Sequence, residues 1–262
     1  MNWRYAVLLA VVAAVCLALL FIPPIPQSED YHNFADQRAL LGIPHCLDTL
    51  SNLFFLVAGG LGIRFAAKNA GAHGGAAFLD SRERWPYLVF FVGVALTAFG
   101  SAYYHLEPTD SRLLWDRLPM SAAFAALLAA TIAERNSVRA GLGWLAPLLV
   151  FGAGSVLYWN YTQSLGRGDL RPYVLTQFGF LLVLVLLVAL FPARYTRTMD
   201  LVGALGFYVL AKILEAADRP IFALGHIVSG HTLKHIAAAI CAYWILRMLR
   251  LRAPIAAKAA LA

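Results

Sequence analysis

Charge is scarce in this chain. Of its 262 residues 13% are Asp, Glu, Lys or Arg and 61% are hydrophobic, whereas soluble chains average about 25% charged and about 45–50% apolar. So little charge cannot cover a water-soluble globule of this length, which excludes disordered tails and nucleic-acid modules. Cysteine is equally scarce. Cys16, Cys46 and Cys241 make an odd count without a C-x-x-C pair, and two of them sit inside apolar runs, so neither a disulfide scaffold nor a thiolate metal cluster is expected. Low-complexity tracts, internal repeats and long polar linkers are also missing. The longest non-apolar stretches are 23–46 and 67–85, too short for a soluble domain. Basic residues exceed acidic ones, 21 to 14, but in a polytopic chain that excess first serves to set topology.

What remains is apolar. Runs fall at about 5–22, 47–66, 86–105, 113–133, 141–159, 172–191, 200–217 and 229–249, each near the roughly 20 residues that cross a bilayer as a helix. Barrel strands would be about ten residues of alternation, so the fold class is all-α, a polytopic membrane helix bundle. Ala58-Gly59-Gly60-Leu61-Gly62 and Gly203-Ala204-Leu205-Gly206 suit close helix packing in lipid. The expected organisation is an N-terminal anchor helix and outer loop over 1–46, a seven-helix membrane domain over 47–250, and a short basic tail over 251–262. With the N-terminus inside, thirteen Lys or Arg fall in inner segments and five (Arg38, Arg112, Arg167, Arg171 and Arg219) in outer ones. That bias predicts cytoplasmic termini. The first run is long for a signal-peptide core and no small-x-small site follows it, so an uncleaved anchor is expected.

Ionisable groups in membrane helices are costly and by default mark function, and here they gather at the outer end. Ser101 and His105 close the third run, Asp116 opens the fourth, Glu215 and Asp218 close the seventh, and His231, Lys234 and His235 open the eighth. His32, Asn33, Asp36, His45 and Asp48 lie at the same level. Residues four apart share a helix face, so Ser101 points with His105, and His231 with His235. Two imidazoles at that spacing and a third from another helix, for which His105 is the natural choice, make the three-ligand set of a catalytic zinc with a place left for water. Asp116 is placed to orient a ligand or shuttle a proton. Ser101, one turn below His105, is placed to donate to a developing oxyanion. A metal there polarises a carbonyl and acidifies water, which describes a metal-assisted amide or ester hydrolase. The plainer alternatives are interfacial histidines, an interhelical serine hydrogen bond and an interfacial Asp116–Arg117 charge pair. Glu215 and Lys212 read as a structural pair, and Lys234 as a snorkelling side chain.

The segments Ser101-Ala102-Tyr103-Tyr104-His105, Trp115-Asp116-Arg117-Leu118-Pro119-Met120 and His231-Thr232-Leu233-Lys234-His235 together resemble the signature of alkaline ceramidases. Those belong to the CREST superfamily of seven-helix membrane hydrolases, which also includes adiponectin-receptor-like proteins. The pattern is S-x3-H, an Asp eleven residues after that His, and H-x3-H in the last helix; the likeness covers about 48–249 and leaves the first helix as an addition. It implies His105, His231 and His235 as ligands of Zn2+, Asp116 as the acid/base group and Ser101 as the oxyanion or supporting partner. Asp48-Thr49-Leu50-Ser51-Asn52 resembles the family's N-T-x-S-N stretch, with Asp48 in place of Asn. Asp48, Ser51 and Asn52, with Tyr104, Trp115, Asp36 and Lys234, are therefore candidates to touch substrate or support the ligands. The acidic loop that binds calcium in ceramidases is here Tyr31-His32-Asn33-Phe34-Ala35-Asp36-Gln37-Arg38, with His45 at a Glu position. Calcium takes six to eight oxygens, so no calcium site is expected.

The resulting expectation is a zinc-dependent intramembrane hydrolase that cleaves the amide bond of ceramide or a related N-acyl lipid. The acyl chain would enter between helices and loop 23–46 would act as a lid. The rival from another class is a lipid-binding receptor that uses zinc structurally. A proton carrier is disfavoured because the polar groups cluster at one end. A rhomboid-like serine protease is disfavoured because Ser101 and His105 share one helix. The compact, Ala-rich helices suggest a bacterial inner membrane, with the site toward the outer leaflet and no nucleic-acid partner; oligomeric state is not legible.

Overall fold

In lipid a backbone must satisfy its own hydrogen bonds, and the apolar runs do so as helices. The structure, a computed structural model, describes residues 2–68 and 77–255; Lys258 and the rest of the expected basic tail from 256 lie outside the described residues. The main helices are α1 Trp3–Phe21, α2 Cys46–Lys68, α3 Arg84–Leu106, α4 Asp110–Arg135, α5 Val138–Ser164, α6 Arg171–Leu190, α7 Thr198–Ala216 and α8 Gly230–Leu251. Among the described residues there are only two isolated β-bridges and no strand. Seven of the eight helices are long and apolar enough to cross a membrane, so the protein is a multi-pass helical membrane bundle. The exception to the expected eight spans is α7, which has full length but carries Asp200, Lys212 and Glu215.

Side-chain caps fix where several helices begin. Thr109, Ser137 and Ser229 accept from backbone N–H groups in the first turns of α4, α5 and α8, satisfying donors that the helix leaves orphaned. The helices are arranged as an incomplete ring. α7 packs on α8, α8 on α2, α2 on α3, α3 on α4 and α4 on α6, while among the described residues α6 and α7 meet far less closely. α5 backs α4 from outside, and α1 touches mainly α6 and buries none of its residues. A π-helical turn, Leu175–Gly179, widens α6 on the open side of the ring; such turns frequently mark functional positions.

The two ends of the ring are built differently. At one end lie the histidines described below. At the other, Arg252 donates to Glu134 and to the Ala77 carbonyl (2.8 Å), while Tyr87 donates to Glu134 at 2.6 Å. Tyr195 donates to Glu83, which also pairs with Arg194 at 3.2 Å. Burial pushes the Tyr195 hydroxyl above the ordinary phenol range, keeping it a donor. This knot ties the end of α8 to α3, α4 and the segment after α6.

Candidate metal centre and adjoining cavity

Close helix approach creates the site. A Cβ on Gly100 would run into the Trp115 carbonyl; without one, α3 and α4 touch there and Ser101 lies beside Asp116. Gly100→Ala is therefore expected to wedge the two helices apart and cost about 1–3 kcal/mol, read as a lower unfolding temperature in detergent. A Cβ on Gly230 would likewise strike the Leu214 carbonyl, so the start of α8 is held against the end of α7.

His105 from α3 meets His231 and His235 from α8. Their ring centroids stand 4.8, 5.0 and 4.8 Å apart, and all three are buried. One ligand atom from each lies within 4.8 Å of the others. Nδ1 of His105 and Nε2 of His231 are buried with no hydrogen-bond partner, a costly state for polar atoms unless something else binds them. The third ring is oriented by its neighbour. Ser51 Oγ donates to the Asp48 carbonyl at 3.0 Å and lies 2.8 Å from His235 Nδ1. With its proton committed, the hydroxyl accepts from Nδ1–H, which leaves the Nε2 lone pair of His235 free. The donor set fits a metal ion. Ser51→Ala is expected to weaken metal binding about 10- to 100-fold through loss of that orientation, measurable by competition with a chelator.

A buried scaffold supports this cluster. Asp48 accepts from Ser229 Oγ (2.9 Å) and Thr232 Oγ1 (2.5 Å), joining the first turn of α2 to that of α8. Asn52 donates to the Asp48 carbonyl at 2.8 Å where α2 is interrupted. The segment 23–46 covers the cluster. Phe34 lays its ring 4.7 Å from His105 and 4.4 Å from His231. The Ala35 N–H donates to Asp218 (2.8 Å), whose other oxygen accepts from the His231 N–H (2.8 Å). His32 bridges Tyr104 Oη (2.8 Å) and Asp110 (3.1 Å).

The cluster opens inward on a cavity of about 290 Å³. His235, Ser101 and Asp116 line its polar end, together with Arg117, Lys234 and Glu215. Phe55, Phe90, Val94, Phe124 and Leu127 line the rest, which runs inside the ring toward the gap between α6 and α7. Gln177 on the π turn donates to Tyr208 of α7 at 3.1 Å across that gap.

The sequence candidates separate accordingly. Ser101, His105, Asp116, His231 and His235 come together, with Asp48, Ser51 and Asn52 behind them. Tyr104 is buried against His105. Lys234 does not snorkel free: it lines the cavity and pairs with Glu215 at 3.2 Å, which also binds Lys212. Two candidates stand apart from both the histidine cluster and the scaffold behind it. Trp115 is 55% exposed, because one residue's step around the helix from Asp116 turns it outward. Asp36 accepts from Arg38 at 2.7 Å through both carboxylate oxygens, and Arg38 continues to the His226 and Ile227 carbonyls. Burial raises the Asp36 carboxyl, but its hydrogen bonds to Arg38 and that residue's charge outweigh this and hold it below the usual carboxylate range. Its place is in tying the 23–46 segment to the turn before α8. Phe34 and the surroundings of Arg117 had no spacing signal in the sequence. A scan against protein-family models and a search of curated proteins both find no match for this chain.

Proposed function

We propose that the chain is a zinc-dependent intramembrane hydrolase that cleaves the amide bond of ceramide or another N-acyl lipid. The observation that carries this reading is a cluster of three buried histidines adjoining a cavity that His235, Asp116 and Ser101 line at its polar end and that is otherwise largely apolar. His105, His231 and His235 would hold a zinc ion, which would supply a Lewis acid to polarise the scissile carbonyl and acidify water. Asp116 takes a proton from the attacking water and returns it to the departing nitrogen. Ser101 donates to the carbonyl oxygen as charge develops there. The water oxygen joins the carbonyl carbon, the C–N bond breaks, and a fatty acid and an amine leave. The acyl chain lies along the apolar part of the cavity and enters between α6 and α7, past the Gln177–Tyr208 hydrogen bond. Positive-inside bias supports cytoplasmic termini and a site at the outer leaflet, and the compact loops and Ala-rich helices support a bacterial inner membrane. The resemblance to alkaline ceramidases in the S-x3-H, Asp and H-x3-H pattern supports the same reading.

Incubating purified protein with a panel of N-acyl lipids, ceramide included, and measuring released fatty acid by mass spectrometry tests it. Release that depends on His231 is expected; no release from any lipid would defeat the proposal. The Phe34 ring sealed over the histidines favours one alternative, a receptor that retains its lipid, and binding without product would select it.

A further inference from the structure

Arg117 is a buried cation that no carboxylate among the described residues meets in an ion pair. It is 5% exposed and lines the polar end of the cavity. Its Nη2 donates to a neutral group, Gln27 Oε1, at 2.6 Å, and its Nη1 is buried with no hydrogen-bond partner. The guanidinium is caged by aromatic rings, its carbon 4.2 Å from the Trp159 centroid, 4.7 Å from Tyr173 and 5.5 Å from Tyr31. The Nε1 of Trp159 in this cage is also buried without a partner. Cation–π contacts recover part of the cost of burying such a charge; an unused N–H donor still calls for an acceptor. The nearby acids do not supply one: Glu215 is engaged by Lys212 and Lys234, and Asp116 forms no ion pair with Arg117 among the described residues. Gln27 and Tyr31 belong to the 23–46 segment and its approach, which places Arg117 on the head-group side of the cavity.

We infer that Arg117 is the docking point for a single oxyanion, carboxylate or phosphate, on the head group of the lipid that occupies this cavity. The inference deepens the proposed function by assigning a substrate class, N-acyl lipids with an anionic head, and rests on that reading for the amide but not for binding. The test is isothermal titration in neutral detergent with two matched pairs: N-palmitoylglycine against N-palmitoylethanolamine, and hexadecyl phosphate against hexadecanol. The expected result is that the anionic member of at least one pair binds about 10- to 100-fold more tightly, as charge-assisted hydrogen bonds provide; which pair discriminates identifies carboxylate or phosphate. The preference should persist after a chelator has stripped metal, be kept by Arg117→Lys, and vanish in Arg117→Gln. Equal affinities within both pairs in the parent protein would overturn the inference whether or not the variants fold, as would a preference lost on chelation. Absence of hydrolysis with the preference intact would instead remove the proposed function and leave this site standing.

Discussion

Asp116→Asn is expected to lower N-acyl lipid hydrolysis about 10²- to 10⁴-fold, the range contributed by a positioned acid/base group, while leaving the metal content unchanged. Asp116 lines the cavity next to Ser101 but is not one of the three clustered ligands. Asparagine keeps the shape and loses the proton transfer. Comparing rates at equal metal loading separates the two roles. A variant with nearly full activity would remove Asp116 from the chemistry, and equal binding with no activity in either protein would favour the receptor.

The largest stability effect is expected at the opposite end. Arg252→Ala strips Glu134 of its cationic partner, and both side chains are almost completely buried, at 0% and 7% exposure. Removing one member of a buried pair costs about 3–5 kcal/mol because the other is left uncompensated. Thermal unfolding in detergent should show a large drop. Adding Glu134→Gln should return part of the loss, since Tyr87 and a neutral amide can satisfy each other and the coupling of the pair is removed. A drop below about 1 kcal/mol would show that the knot is solvated.

The helices were legible because membrane spans write themselves as long apolar runs, and all eight form near the expected bounds. The histidine cluster was legible because a four-residue spacing is a geometric statement about one helix face. What spacing cannot carry is a contact between distant segments. Phe34 reaches the histidines from an irregular stretch without a period, and Arg117 owes its cage to Tyr31, Trp159 and Tyr173 from three different places in the chain. Trp115 and Asp36 show the converse, a nearness in sequence that side-chain direction does not follow. Each sits close in sequence or level to the site, and one faces outward while the other anchors a loop. The three charges that keep α7 from reading as a fully apolar span are partly explained by the site: Lys212 and Glu215 line its cavity, and Glu215 holds Lys234.

In the proposed function His105, His231 and His235 hold one catalytic zinc. Elemental analysis of protein purified without added metal, for the parent chain and His231→Ala side by side, tests it most directly. Near one zinc per chain in the parent and its loss in His231→Ala, together with loss of lipid hydrolysis, is the predicted result. A parent chain that binds no zinc when offered it, or a variant that retains both zinc and activity, would contradict the account.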